Sequence, residues 1–184
     1  MKNQKLYFIA IIPPEPVHGD VLHWKHEFAE HYDSKAALRS PPHITLHMPF
    51  KWREDQEERI DQALKELVFT QQPFDVKLDG FGAFKPKTIF VQVMNNDSLN
   101  DLHEGIKRQM KQSLNIFNAD YKDRPFHPHM TVAFRDLKKH RFTEAWEAFE
   151  SRTYGAIFPV HAVTLLKHNG KFWEVHRSLE MASP

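Results

Sequence analysis

Ser40-Pro41-Pro42-His43-Ile44-Thr45-Leu46-His47-Met48 and Pro125-Phe126-His127-Pro128-His129-Met130-Thr131-Val132-Ala133-Phe134 are two versions of one pattern, a proline-led approach followed by alternating polar and apolar residues that begin His-x-Thr. A residue before proline is pushed out of the helical region, so the chain enters each run extended. Period-two alternation then reads as a β-strand with one polar face. His43, Thr45 and His47 share that face in the first strand, and His129 and Thr131 share it in the second.

Working outward, each of these strands closes a similar unit. Leu6-Tyr7-Phe8-Ile9-Ala10-Ile11-Ile12 reads as a buried strand stopped by Pro13-Pro14. Val17, Val21, Trp24 and Phe28 then fall on one face of a helix starting near Pro16. In the second unit Thr88 to Val93 is the strand. Ser98 with Asp101 resembles a capping box, and Leu99, Leu102, Ile106 and Met110 stripe a helix that runs to about Leu114. Phe8 precedes His43 by 35 residues and Phe90 precedes His129 by 39, so the His-x-Thr strands hold equivalent places in two halves. Pseudo-twofold symmetry would make them face each other.

The remaining segments fit around this repeat. Glu54 to Val68 reads as a helix with Ile60, Ala63, Leu64, Leu67 and Val68 inward. Phe74 to Leu78 is a strand joined to Thr88–Val93 by a hairpin-like connection around Gly80 and Gly82. A short helix spans about Thr143 to Glu150. A last hairpin, Ile157 to Lys167 and Lys171 to Leu179, turns at Asn169-Gly170, a dipeptide suited to type I′ geometry. The whole is expected to be one domain, 1–184, with intertwined repeats at roughly 6–70 and 88–150 and a C-terminal hairpin.

Composition narrows the function. Twenty-five Lys and Arg against 24 Asp and Glu leave a formal charge of +1, so no global field draws the chain to nucleic acid or membrane, and phosphate affinity must be local. With no cysteine there are no disulfides, thiolate nucleophiles or cysteine-held metals, and a cytoplasmic location is the expectation. No apolar run reaches the ~20 residues of a membrane span.

Two facing histidines suit phosphodiester hydrolysis, in which one group takes a proton from water and another gives one to the departing oxygen. A threonine two positions on points the same way, so its hydroxyl can hold a non-bridging phosphate oxygen as charge builds there. The arrangement calls for no metal and no cofactor.

At Pro42-His43-Ile44-Thr45-Leu46 and Pro128-His129-Met130-Thr131-Val132 the chain resembles the 2H phosphoesterase superfamily, in particular its LigT-like group of 2′-5′ RNA ligases and RNA 2′,3′-cyclic phosphodiesterases. Tyr7 to Pro13 is similar to that group's first strand. The resemblance implies an α+β, bilobal fold with antiparallel sheets around a central cleft and helices outside. It further implies that His129 activates water, His43 protonates the ribose oxygen, and Thr45 and Thr131 hold the phosphate while a 2′,3′-cyclic phosphate opens to a 2′-phosphate. The partner implied is a nucleotide or RNA end carrying a cyclic phosphate, with no membrane and no obligate protein partner, and the resemblance also admits the reverse 2′-5′ ligation. Such enzymes often carry Arg shortly after the second motif. Here Phe134 comes first and Arg135 one place later, which on an ideal strand puts Arg135 on the other face, and Lys51 stands similarly open.

Two other readings start from the same residues. His127-Pro128-His129 has a spacing found among metal ligands, but no acid follows before Asp136. On the phosphodiesterase reading His127 caps the approach to the second motif and His47 lies further along the first strand. A nucleotide- or RNA-binding module without turnover would use loop aromatics such as Phe50, Trp52, Phe84 and Phe126 for stacking.

Overall fold

In a computed structural model, which describes residues 3–183, the chain builds two four-stranded antiparallel sheets. β1 (Gln4–Ile11) lies between β2 (Ile44–Arg53) and β7 (Ala162–His168), with β8 (Trp173–Glu180) outside β7. In the second sheet the order is β5 (His129–Ala133), β4 (Thr88–Val93), β3 (Phe74–Phe84) and β6 (Gly155–Val160). Four α-helices complete the fold: α1 (Val17–His31), α2 (Glu57–Val68), α3 (Asp97–Leu114) and α4 (Lys139–Phe149).

The helices are exchanged between the sheets. α1 follows β1 of the first sheet yet packs against β5 of the second. Its Trp24 ring meets Phe81 of β3 at 4.9 Å, and Phe28 meets Phe149 of α4 at 4.7 Å. α3 follows β4 of the second sheet and packs against β2 and α2. Gly105 lets α3 approach closely, since a Cβ there would sit 3.1 Å from Leu67 of α2. This exchange brings β2 and β5, the two His-x-Thr strands, into contact.

Several local expectations are corrected. The first helix and the striped third helix are as read, but α3 is capped by Asn96, whose side chain accepts the Leu99 amide at 2.9 Å, rather than by Ser98. Gly80 and Gly82 lie within β3, where Gly80 (φ 68°) accompanies a register shift, and the chain turns at 85–87 instead. The run from Ile157 to Lys167 is two strands, because β6 pairs with β3 and, after the single residue His161, β7 pairs with β1. Alternation continues through this switch of sheets, so periodicity does not mark it. At the last hairpin only Gly170 has a positive φ. Asn169 Oδ1 accepts the Lys171 and Phe172 amides, which makes a longer Asx-type loop and not a two-residue type I′ turn.

Candidate active site

β2 does not alternate cleanly. Ile9 faces His47 and Ala10 faces Thr45, so Leu46 is an extra residue opposite that step. Directly opposed residues share a face, and Ile9 and Ala10 point to opposite faces, so this bulge turns His47 away from Thr45. The expectation that His43, Thr45 and His47 line one face is corrected accordingly. His47 is fully buried on the core side against Phe50 and sets its Nδ1 2.8 Å from the Met48 carbonyl.

His43 and Thr45 remain on the face of Phe8 and Ala10, with the Phe8 ring 4.9 Å from the His43 ring. In the second sheet Phe90 faces Thr131 and Gln92 faces His129, so those four side chains share a face. All four motif side chains are half-buried, and the residue between each histidine and its threonine, Ile44 or Met130, is fully buried, so solvent reaches both members of each pair.

Each histidine is oriented in the same way. His43 Nδ1 lies 2.7 Å from the Pro41 carbonyl and His129 Nδ1 lies 2.6 Å from the His127 carbonyl. A carbonyl only accepts, so Nδ1 carries the proton in the neutral ring and Nε2 keeps its lone pair. In each motif a proline sits between the ring and that carbonyl, holding the loop extended. Among the described residues neither Nε2, nor either threonine hydroxyl, has a protein partner.

Both rings are electrostatically primed to be neutral. Burial, then the Lys25 ammonium and the His129 ring, push the His43 pKa down to about 3, against the opposing pull of the Pro41 carbonyl. Burial also lowers His129, against the pull of the His127 carbonyl and with a smaller push from the charge of the His127 side chain. The influence of the His129 ring on His43 puts the two rings in one electrostatic site.

The loops before the motifs are braced reciprocally. Asp136, three residues beyond β5, accepts Ser34 Oγ at 2.9 Å and the Lys35 and Ala36 amides at 2.8 and 2.9 Å, so the end of the second motif's strand pins the loop before the first. In return the Met48 amide donates to the Ala119 carbonyl at 2.9 Å, and Asn118 Nδ2 donates to the Pro49 carbonyl at 2.8 Å. The end of the first motif thereby holds the loop before the second.

Other candidates are sorted by the same geometry. Arg135 is exposed, has a left-handed backbone (φ 58°) just past the strand end and stacks on Phe134 at 4.9 Å. Lys51 shares the Thr45 face but is paired four residues further along β1, roughly 13 Å away at the usual strand rise. Of the stacking aromatics, Phe50 is core, Phe126 is stacked on His103 at 3.8 Å and Trp52 donates its Nε1 to the Gln56 carbonyl. Phe84 is 41% exposed and lies 5.1 Å from both His127 and His129, which leaves it beside the site. The His127 and His129 rings are 6.2 Å apart, and no three His, Asp or Glu among the described residues gather at metal-holding spacing.

Lys25 and Asp136 carry contacts at the site that sequence reasoning missed. Lys25 offered a signal, because it falls at helical spacing from Val21 and Phe28 on the buried stripe, where a charge is out of place. Asp136 offered none, since its partners lie about a hundred residues away in the chain.

Comparison with known proteins agrees with this fold. The model of the 2′-5′ RNA ligase superfamily matches residues 13–172, and the chain belongs to that family, within the 2H phosphoesterases. More particularly, it is 30% identical over 142 residues to a Geobacillus kaustophilus protein named as a candidate phosphoesterase, covering 76% of this chain and 75% of that one. The fold matches E. coli LigT solved with 3′-AMP (TM-score 0.72, 20% identity, 98% of this chain and 100% of that) and TT0787 of Thermus thermophilus (0.70, 22%, 96% and 97%). E. coli LigT has also been solved with ATP, NADP+ and phosphate. The architecture is the LigT-like α+β, bilobal one, and the chain is a phosphoesterase by family. Among the described residues no helix is long and apolar enough to cross a membrane.

Proposed function

We propose that the protein is a metal-independent phosphodiesterase that opens a 2′,3′-cyclic phosphate on a nucleotide or RNA end to a 2′-phosphate, with His43 and His129 as catalytic residues and Thr45 and Thr131 as phosphate ligands. The observation that carries this reading is the matched pair of imidazoles, each with Nδ1 tied to the carbonyl two residues upstream and Nε2 unengaged.

In this mechanism a neutral imidazole, His129 on the family pattern, removes a proton from water as the oxygen attacks phosphorus. The P–O3′ bond breaks, and the imidazolium of His43 delivers its proton to the departing ribose oxygen. The two threonine hydroxyls donate to the non-bridging oxygens, whose charge grows in the transition state. Both rings favour the neutral form in the free protein, so the bound phosphate supplies the negative charge that loads one of them with a proton. Phosphate and adenine nucleotides bound to the LigT of E. coli fit a substrate of this class.

The test is a panel of 2′,3′-cyclic mononucleotides assayed with and without EDTA. Turnover that survives EDTA and disappears in the His43→Ala/His129→Ala double variant supports the reading. EDTA-sensitive turnover returns attention to His127 and His129 as metal ligands, and tight binding without turnover to a binding module that uses Phe84 as a stacking surface.

A further inference from the structure

A lysine buried to 1% exposure is among the costliest side chains a core can hold, and such groups are normally paired with an acid. Lys25 of α1 is not. Its Nζ donates to the Ala37 carbonyl at 3.0 Å and the Ser40 carbonyl at 2.8 Å, and no carboxylate of the described residues engages it. Asp136, the acid that caps the same loop, is already taken by Ser34 Oγ and two amides.

The corresponding place in the other half is different. Lys25 stands 17 residues after Phe8, and Lys107 stands 17 after Phe90. Lys107 sits 2.8 Å from Asp120, which also meets His103 Nε2 at 2.9 Å. In one half the lysine is 43% exposed and paired with an acid, and in the other the buried lysine has only carbonyl partners, next to the loop that feeds its histidine.

That loop is short and its contacts are sequential. Ser40 gives its carbonyl to Lys25, and Pro41, the next residue, gives its carbonyl to His43 Nδ1. We infer that Lys25 is a positioning residue for His43: its Nζ fastens the 37–41 loop to α1, so fixing the ring, and when protonated it adds a positive charge that no acid offsets. The inference rests on His43 being catalytic only for its consequence in turnover.

The charge breaks the equivalence of two chemically duplicate histidines. The titratable groups that bear on the His43 ring are Lys25 from α1 and His129 from β5, and both disfavour its imidazolium, while the Pro41 carbonyl favours it. On His129 it is His127, not a buried cation, that acts. Burial lowers the Lys25 pKa to about 7, so the charge is present in full only below neutral pH, and there a His43 imidazolium beside it gives up its proton more readily, which suits the group that protonates the leaving oxygen.

The experiment follows the ring protons of His43 by NMR across pH in the wild type and in Lys25→Met, beside steady-state kinetics on a 2′,3′-cyclic mononucleotide. Removing the cation is expected to move the His43 titration upward by about half a pH unit or more, leave His129 nearly unmoved, and lower kcat about tenfold with KM little changed. Unchanged His43 titration in a folded variant overturns the inference. The titration is read without substrate, so it stands or falls separately from the proposed activity. Should Lys25→Met fail to fold, the Lys25 ammonium of the wild type is followed with and without inorganic phosphate. Phosphate seated at the histidines is expected to raise its titration midpoint, and a midpoint indifferent to saturating phosphate overturns the inference as well.

Discussion

The Phe8–His43 and Phe90–His129 ring pairs have nearly the same geometry, 4.9 Å between centroids in each and interplanar angles of 51° and 52°. The two half-molecules thus cage their histidines alike, by a phenylalanine on one side and a carbonyl at Nδ1 on the other. That likeness makes the cages themselves testable.

Gly82 holds the second cage open. A Cβ at this position would fall 2.4 and 2.7 Å from Phe90 ring atoms, and the ring is buried and also leans on Phe84. Gly82→Ala is expected to destabilise by about 1–3 kcal/mol through overpacking and to lower turnover by tilting Phe90 against His129. A thermal melt with parallel kinetics checks it, and an unchanged kcat would mean that the Phe90 contact does not orient the ring.

Asp136 joins the end of one motif strand to the loop before the other. Asp136→Ala strips three acceptor contacts, a loss comparable to that of a helix cap, so stability should fall by about 1 kcal/mol. The larger effect is expected in kcat, since the loop carrying Pro41 loses its outer brace while Thr45 and Thr131 are untouched.

Anion binding should take up protons. Both histidines have lowered pKa values in the free protein, and a dianion between them favours the charged ring. Sulfate, whose own charge is constant over this range, is expected to bind more tightly as pH falls from 8 to 6, by up to about tenfold per unit for one proton gained. Calorimetry in two buffers of different ionisation enthalpy counts that proton directly, and pH-independent affinity would contradict the electrostatic account.

The same depressed groups set the pH dependence of stability. Where a group binds protons more weakly folded than unfolded, stability rises with pH between the two pKa values. For His43, lowered from 6.5 to about 3, stability is lost as pH falls through that window. For Lys25, lowered from 10.5 to about 7, the wild type should gain stability from pH 7 toward 10. Lys25→Met should lack this alkaline gain, which denaturant midpoints at pH 7 and pH 9.5 would reveal.

Much of this was legible in the chain. The repeat from Phe8 to Thr45 and from Phe90 to Thr131, the buried first strand and the helical stripes follow from periodicity, because each reports which way neighbouring side chains point. His47 was misplaced because a single extra residue at Leu46 inverts the alternation, and a bulge of this kind leaves no mark in polar–apolar order. Val17, Val21, Trp24 and Phe28 complete an apolar stripe on α1 without Lys25, so the pattern does not require a buried charge there. The braces at Asp136 and Met48 are long-range contacts created by the exchange of α1 and α3 between sheets, and no local pattern encodes them.

The central claim is that His43 and His129 together open a cyclic phosphate toward the 2′ side. Its most direct test is phosphorus NMR of a 2′,3′-cyclic mononucleotide turning over in EDTA with wild type, His43→Ala and His129→Ala. The account predicts a single growing 2′-phosphate signal with the wild type and a rate lower by orders of magnitude in either folded variant. A 3′-phosphate product, or a near-wild-type rate in either histidine variant, would contradict it.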